Sequence, residues 1–324
     1  MRATTKISLA VSSLALTSKA LDLNRNTNLI SYYGQFEGAS GDVGNLTLRK
    51  YCDDSIEDVI ALAFLSDFPN FELSLMVDCP VFPNTKLQHC PELGKDIKYC
   101  QSKGKSIFLS MGGPGVDVPY GFKSEDEGQE TADKMWDMFF SGKNKDAPRP
   151  FDDAILDGIS IDILSANYDV TGYKPFIDTL RSHFASDKSK TYYIAGGAEG
   201  SLPENHVGQL LAGSTWFDLI WIFCYNTYAC HLDETPDRFT TTYFKWVKLA
   251  QEASINKHLK FFIGAAGSPE AAQVGYANAD QIKEKFDIAR SNITDLGGIM
   301  LYDTYASRAS GLGAQVKKVL DTVN

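Results

Sequence analysis

The segment Leu156-Asp157-Gly158-Ile159-Ser160-Ile161-Asp162-Ile163-Leu164 has the most informative pattern in the chain. Apolar residues at positions 155, 159, 161 and 163 alternate with Gly158, Ser160, Asp162 and Leu164. This period of two is typical of a β-strand whose two faces have different surroundings. The alternation places Asp162 and Leu164 on one face and Asp157 on the other, so we expect Asp157 to have a structural role.

The rest of the chain predicts strands that alternate with helices. Strand-like apolar segments lie at residues 28–34, 58–65, 106–111, 154–163, 192–196, 217–225, 260–265 and 297–302. Helix-like segments lie between them, for example at residues 131–141, 173–184, 237–253 and 278–292. This order predicts an α/β fold, a single-domain (β/α)8 TIM barrel. In such barrels the functional residues lie at the C-terminal ends of the strands.

The first 20 residues have the pattern of a secretory signal peptide. Arg2 and Lys6 precede an apolar run at 7–16, and Ser18-Lys19-Ala20 provides a small-residue cleavage site. We therefore predict a signal peptide at 1–20, a barrel domain at 21–324 and a secreted, extracellular protein; a buried N-terminal helix is the alternative for residues 1–20. Removal of residues 1–20 lowers the number of Lys and Arg residues from 31 to 28 and leaves 41 Asp and Glu, so the net charge becomes about −13. An acidic chain argues against nucleic acid or an anionic membrane as a partner.

The segment at residues 156–164 resembles the D-G-x-D-x-D-x-E signature of glycoside hydrolase family 18, the chitinases. Asp157, Gly158 and Asp162 stand at the positions that the signature prescribes. Ser160 replaces its second Asp, and Leu164 replaces the Glu that acts as proton donor. Leucine cannot donate or accept a proton, so the resemblance implies a glycosidase scaffold without its acid.

The resemblance covers residues 25–324 in order and is strongest to the plant and fungal class III chitinases. The matching segments are residues 28–35 (with Tyr33 where Trp is usual), 51–52, 60–65, 104–115, 149–154, 263–272 and 297–301. It also implies cis peptide bonds at Ala63–Phe64 and Tyr302–Asp303. It further implies the disulfides Cys52–Cys100 and Cys79–Cys90, whereas the pairing of Cys224 and Cys230 stays open, with Cys224 as a buried thiol by strand parity.

The chemistry of this family sets what the site must contain. Its members cleave N-acetylglucosamine polymers with the acetamide of the substrate as nucleophile, steadied by an Asp and a Tyr that match Asp162 and Tyr225. The vestigial catalytic positions are therefore Asp157, Ser160, Asp162, Leu164 and Tyr225. Phe223 and Glu199 stand where the family has Gln, and Tyr302 where it has Trp. Glu199 is the one alternative acid that we consider.

We predict that ligand-binding residues lie at the barrel mouth: Tyr32, Phe64, Gly112, Asp162, Glu199, Phe223, Tyr225, Asn226 and Tyr302. Tyr32, Tyr33, Phe64 and Tyr302 are candidates to stack on sugar rings. The competing interpretation is that Asp162 only satisfies local hydrogen bonds and that Tyr225 and Tyr302 only pack. The five His show no metal-ligand spacing, so we predict no metal and no cofactor. Asn45 and Asn292 begin N-glycosylation sequons.

Three functions follow from these predictions. The leading hypothesis is a catalytically inactive, secreted chitinase-like protein that binds chitin oligosaccharides or another cell-wall glycan. The second is a protein-binding inhibitor or interaction scaffold on the same barrel. The third is a weak or altered glycoside hydrolase that acts on N-acetylglucosamine polymers.

Overall fold

The structure is a computed structural model that describes residues 21–36, 47–54, 56–113, 120–164, 169–200, 206–227 and 229–323. The predicted signal peptide at 1–20 and the sequon at Asn45 lie outside these residues, so both stay predictions. Asn292, the other sequon, is exposed in the last turn of a helix. No helix within the described ranges is long and apolar enough to cross a bilayer.

Parallel strands form a closed barrel, as the sequence predicts. The strands in the described part of the chain are β1 Asn28–Tyr33, β2 Val59–Asp67, β3 Glu72–Leu73, β4 Ser106–Gly113, β5 Gly158–Ile163, β6 Tyr193–Glu199, β7 Leu219–Phe223, β8 Lys260–Ala266 and β9 Leu296–Tyr302. Eight of them are parallel and pair in the order β1-β9-β8-β7-β6-β5-β4-β2, and β1 pairs with β2 to close the sheet. The short β3 extends the sheet antiparallel to β2.

Helices follow the barrel strands and form the outer layer. They are α1 Leu48–Cys52, α2 Pro91–Ser102, α3 Glu125–Phe139, α4 Tyr173–Ser186, α5 Val207–Ala212, α6 Pro236–Ala253, α7 Ala279–Asn292, α8 Thr304–Ala309 and α9 Leu312–Asp321. A 3-10 turn, Pro269–Ala271, lies after β8. Asn278 caps α7 with a capping box, in which the Gln281 side chain accepts a hydrogen bond from the Asn278 backbone N–H.

The predicted starts of α3 and β5 differ most from the structure. Helix α3 begins at Glu125 rather than at residue 131, because the Ser124 side chain accepts a hydrogen bond from the Glu127 backbone and acidic residues fill the first turn. Strand β5 begins at Gly158 rather than at residue 154. The backbone N–H of Leu156 donates to Phe139 at the end of α3 instead of joining the sheet.

The parity of β5 separates two hydrophobic layers. Ile159, Ile161 and Ile163 belong to the core between the sheet and the helices. Ser160 and Asp162, on the other face, point into the barrel interior, which Ile30, Phe108, Leu219, Trp221, Phe262 and Met300 fill below the mouth. Tyr33 lies in the outer core against Phe36 and Tyr51, so the prediction that it stacks on a sugar is wrong.

All six cysteines lie among the described residues and form three disulfides. Cys52–Cys100 and Cys79–Cys90 confirm the two predicted bridges. The expectation of a buried thiol at Cys224 is wrong, because Cys224 is bonded to Cys230. Cys224 does lie in the outer core, as strand parity predicts, but the chain after β7 turns back and brings Cys230 to it there. The peptide bonds Ala63–Phe64 and Tyr302–Asp303 are both cis, as predicted.

Peptide mapping under non-reducing conditions tests the third bridge. We expect Cys224 and Cys230 to be bridged within a single tryptic peptide, because no Lys or Arg separates them, whereas Cys52–Cys100 and Cys79–Cys90 should each link two peptides. Alkylation of Cys224 in the folded, unreduced protein would contradict the structure. The two other bridges serve as internal controls for complete oxidation.

Candidate functional site

A cavity of about 350 Å³ opens at the C-terminal ends of the barrel strands. Eight of the nine predicted ligand-binding residues line it, which brings together positions that are up to 270 residues apart in the chain. Its described lining consists of Tyr32, Phe64, Asp162, Leu164, Glu199, Phe223, Tyr225, Asn226, Glu270, Ala271, Ala272, Gln273 and Tyr302.

Asp162 lies at the centre of the hydrogen-bond network in the cavity floor. Its Oδ2 accepts hydrogen bonds from the hydroxyls of Tyr32 (2.8 Å), Ser160 (3.2 Å) and Ser110. The backbone of Gly197 lies against Oδ1, but no hydrogen bond of normal geometry reaches that oxygen from the described residues. Full burial raises the pKa of Asp162 to about 6, although these hydrogen bonds lower it.

Tyr32 links Asp162 to the barrel interior. The indole Nε1 of Trp221 donates to the Tyr32 hydroxyl at 2.7 Å, and that hydroxyl donates in turn to Asp162. Burial, and then the charge of Asp162, raise the pKa of Tyr32 well above its ordinary value. Tyr32 therefore stays protonated and acts as a donor. No sequence pattern indicates the roles of Ser110 and Trp221, although both lie at inward-facing positions of predicted strands.

Aromatic side chains form one side of the cavity. Tyr302 stacks on Tyr225 with ring centroids 6.2 Å apart and meets Tyr32 edge-on at 5.3 Å. Phe64 lies 5.8 Å from Tyr32, and Phe223 lies 5.8 Å from Tyr225. Tyr302 is the partly exposed member of this set, whereas the other four are buried. The result is an apolar surface with polar tips, the kind of surface that packs against a sugar ring.

Leu164 occupies the cavity position that directly follows β5. Its side chain packs on the interior apolar cluster, and its backbone N–H donates to the Tyr120 hydroxyl at 2.9 Å. Two carboxylates from other elements reach the same cavity: Glu199 ends β6, and Glu270 lies in the 3-10 turn after β8. Glu270 was not predicted from the sequence, because nothing in its local pattern indicates that the turn folds over the mouth.

Asn226 holds this turn-containing loop in place. Its Oδ1 accepts hydrogen bonds from the backbone N–H of Gln273 (2.6 Å) and of Val274 (3.4 Å). Its own N–H donates to the Val274 carbonyl at 2.9 Å, and its φ is +51°. These bonds anchor residues 270–273 as a cavity wall. The predicted ligand-binding residue Asn226 therefore lines the cavity, but its carboxamide oxygen already accepts hydrogen bonds from the loop backbone.

Three predicted site residues do not line the cavity: Ser160, whose hydroxyl lies in the floor network, Gly112 and Asp157. Gly112, with φ +104°, pairs with Asp162 in the sheet, and a Cβ there would meet the Asp162 carbonyl oxygen at 2.3 Å. Asp157 lies at the start of β5 and accepts hydrogen bonds from Gln101 Nε2 and the Ile107 N–H, both at 2.8 Å. It also forms an ion pair with Lys190 at 2.9 Å. Asp157 thus joins α2, β4 and β5.

Metal binding has no support in the described residues, which contain no cluster of three His, Cys, Asp or Glu side chains placed to hold an ion.

The buried carboxyl of Asp162 should make stability depend on pH. Its pKa of about 6, against an ordinary 3.8, means that the folded protein keeps a proton which the unfolded chain has lost. That stabilising proton is present at low pH and lost as the pH rises through 6. Asp162→Asn should therefore gain about 2 kcal/mol in free energy of unfolding, relative to wild type, between about pH 4 and about pH 7.

Chemical denaturation at several pH values measures this difference. Glu130→Gln is the matched control, because it removes one exposed carboxylate from the outer helix α3. A constant offset between Asp162→Asn and wild type across this range would contradict the buried carboxyl.

Comparison with known proteins places this cavity in context. No family model matches the chain. It is 34% identical to Chitinase 3 of Candida albicans over 92% of its own length, but spans only about half (51%) of that protein. It is 31% identical to a class III chitinase of Arthroderma benhamiae, over 88% of this chain and 90% of the relative. Among solved structures, the ICChI chitinase from Ipomoea carnea superposes with a TM-score of 0.75 at 25% identity, over 90% of this chain and 99% of that one.

The match covers 90% of the fungal class III relative, and the fold is the closed parallel barrel that the order of strands and helices predicts. The chain belongs to glycoside hydrolase family 18 and groups with the fungal class III chitinases.

Proposed function

We propose that this protein is a secreted, catalytically inactive chitinase-like protein that binds chitin oligosaccharides or a related cell-wall glycan in the barrel-mouth cavity. The observation that supports this most is the combination of an open, aromatic-lined cavity with Leu164 at the position of the proton donor. Three disulfides suit an oxidising compartment, as secretion requires.

The missing acid argues against hydrolysis. Protonation of the leaving oxygen contributes roughly 10²–10⁴-fold in rate, and Leu164 has no group that could supply the proton. Asp162 cannot substitute, because its buried Oδ2 faces the Tyr32, Ser110 and Ser160 hydroxyls in the floor. Ser160 stands where the family pattern has a second Asp, so the carboxylate that would share a proton with Asp162 is absent.

The remaining cavity argues for binding. Tyr302, Tyr225 and Phe223 offer ring surface at the mouth, and Glu199 and Glu270 offer hydrogen-bond acceptors. Sugar rings have apolar faces and polar edges, so an aromatic wall beside a few fixed polar groups suits them. Binding of this kind needs no proton donor.

A weak or altered hydrolase is the second candidate. Glu199 is half-buried at the end of β6, the strand next to β5, and it lines the same cavity as Leu164. In this alternative Glu199 would be the relocated acid. No observation beyond the fold itself favours the protein-binding scaffold.

Hydrolysis assays separate the first two candidates. We expect no product release from chitin oligosaccharides by wild type at any acidic pH. Leu164→Glu alone should recover little activity, because Ser160, Phe223 and Tyr302 still depart from the family site. Clear turnover by wild type that is lost in Glu199→Gln would contradict the inactive-protein proposal and favour the relocated acid.

A binding assay tests the aromatic wall. Tyr302→Ala should weaken the affinity for an N-acetylglucosamine oligomer roughly tenfold, because it removes the partly exposed ring at the mouth. Trp216→Ala is the matched control, since Trp216 is 39% exposed but precedes β7 at the opposite end of the barrel. Isothermal titration calorimetry measures both. Equal losses in the two variants, or no binding by wild type, would contradict this site.

A further inference from the structure

The cavity is acidic as well as aromatic. Asp162, Glu199 and Glu270 line it, and no Lys, Arg or His is among the lining residues that the structure describes. The three carboxyls come from β5, β6 and the loop after β8, while β7 places Phe223 and Tyr225 between the last two. A neutral ligand would have to displace water from these groups without compensating their charge, which costs free energy.

Asp162 forms the floor of the cavity and offers no open acceptor to a ligand. Its Oδ2 accepts hydrogen bonds from three hydroxyls, and its Oδ1 is buried against the Gly197 backbone. Burial also raises the pKa of the Asp162 carboxyl to about 6, which favours its neutral form in mildly acidic buffer. The carboxyls that a ligand can reach are therefore those of Glu199 and Glu270.

The other two carboxyls lie nearer to solvent. Glu270 is exposed at the rim, where hydrogen bonds from its own backbone N–H and from Ser268 lower the pKa of its carboxyl and keep it ionised. Glu199 is half-buried at the end of β6. Carboxylates beside aromatic ring faces are a known combination for cations, because the ring quadrupole and the negative charge both attract them.

We propose that the preferred ligand is an oligosaccharide of glucosamine whose free amines are protonated, that is, deacetylated chitin rather than chitin itself. This inference rests on the proposed function and names the sugar class. An ammonium group donates up to three hydrogen bonds, and its positive charge is complementary to Glu199 and Glu270 in a cavity whose described lining has no base. An acetamido group donates one hydrogen bond and carries no charge.

Calorimetric titration of the wild-type protein with fully acetylated and fully deacetylated oligomers of equal length tests the inference. In mildly acidic, low-salt buffer we expect the glucosamine oligomer to bind roughly tenfold tighter. Added salt should narrow this gap, because it screens the charges at the mouth. Glu199→Gln and Glu270→Gln should each weaken the glucosamine oligomer several-fold, by about 3- to 10-fold, and leave the acetylated oligomer nearly unchanged.

Glu130→Gln removes the same charge from the exposed face of α3 and should change neither affinity. Thermal melting of each variant checks that it is folded. Equal or tighter binding of the acetylated oligomer would overturn this inference but support the proposed function. A preference for glucosamine that persists in the double variant Glu199→Gln/Glu270→Gln would also overturn it, because overall charge would then explain the preference. Failure of both oligomers to bind would contradict the proposed function itself.

Discussion

The buried carboxyl of Asp162 is the interaction on which the cavity depends. It gathers hydroxyls from β1, β4 and β5 around one oxygen, and Trp221 of β7 joins the same network through Tyr32. A carboxyl inside a barrel is costly unless donors surround it, so its presence fixes the inward side chains of four strands. The aromatic rings at the mouth stand directly on this floor, since Tyr32 contacts both Phe64 and Tyr302.

Much of this arrangement could be predicted from the sequence, because it depends on the two-residue alternation of side chains along each strand and on the order of the strands. The alternation around Ile161 separated the inward Asp162 from Asp157, and the order of strands and helices gave the barrel. The rule that functional residues follow parallel strands then brought Tyr32, Glu199, Tyr225 and Tyr302 to one cavity.

The parts that escaped prediction depend on chain reversals and on partners far apart in sequence. Cys224 meets Cys230 because the chain turns back after β7, whereas the strand pattern gives only the face on which Cys224 lies. The wall at residues 270–273 exists because Asn226 adopts a positive φ and binds the loop backbone, which no local pattern signals. The strand pattern placed Ser110 and Trp221 on the inward face, but it could not show which side chains they hydrogen-bond.

The central claim is that the cavity holds a glycan that it does not cleave. A crystal structure of the protein after prolonged soaking with a chitin-derived oligosaccharide tests it most directly. The account predicts an intact oligosaccharide in the barrel mouth, with a sugar ring against Tyr302 and a ligand donor within hydrogen-bond distance of the Glu199 carboxyl. An empty cavity at saturating ligand, or a cleaved product in it, would contradict the account.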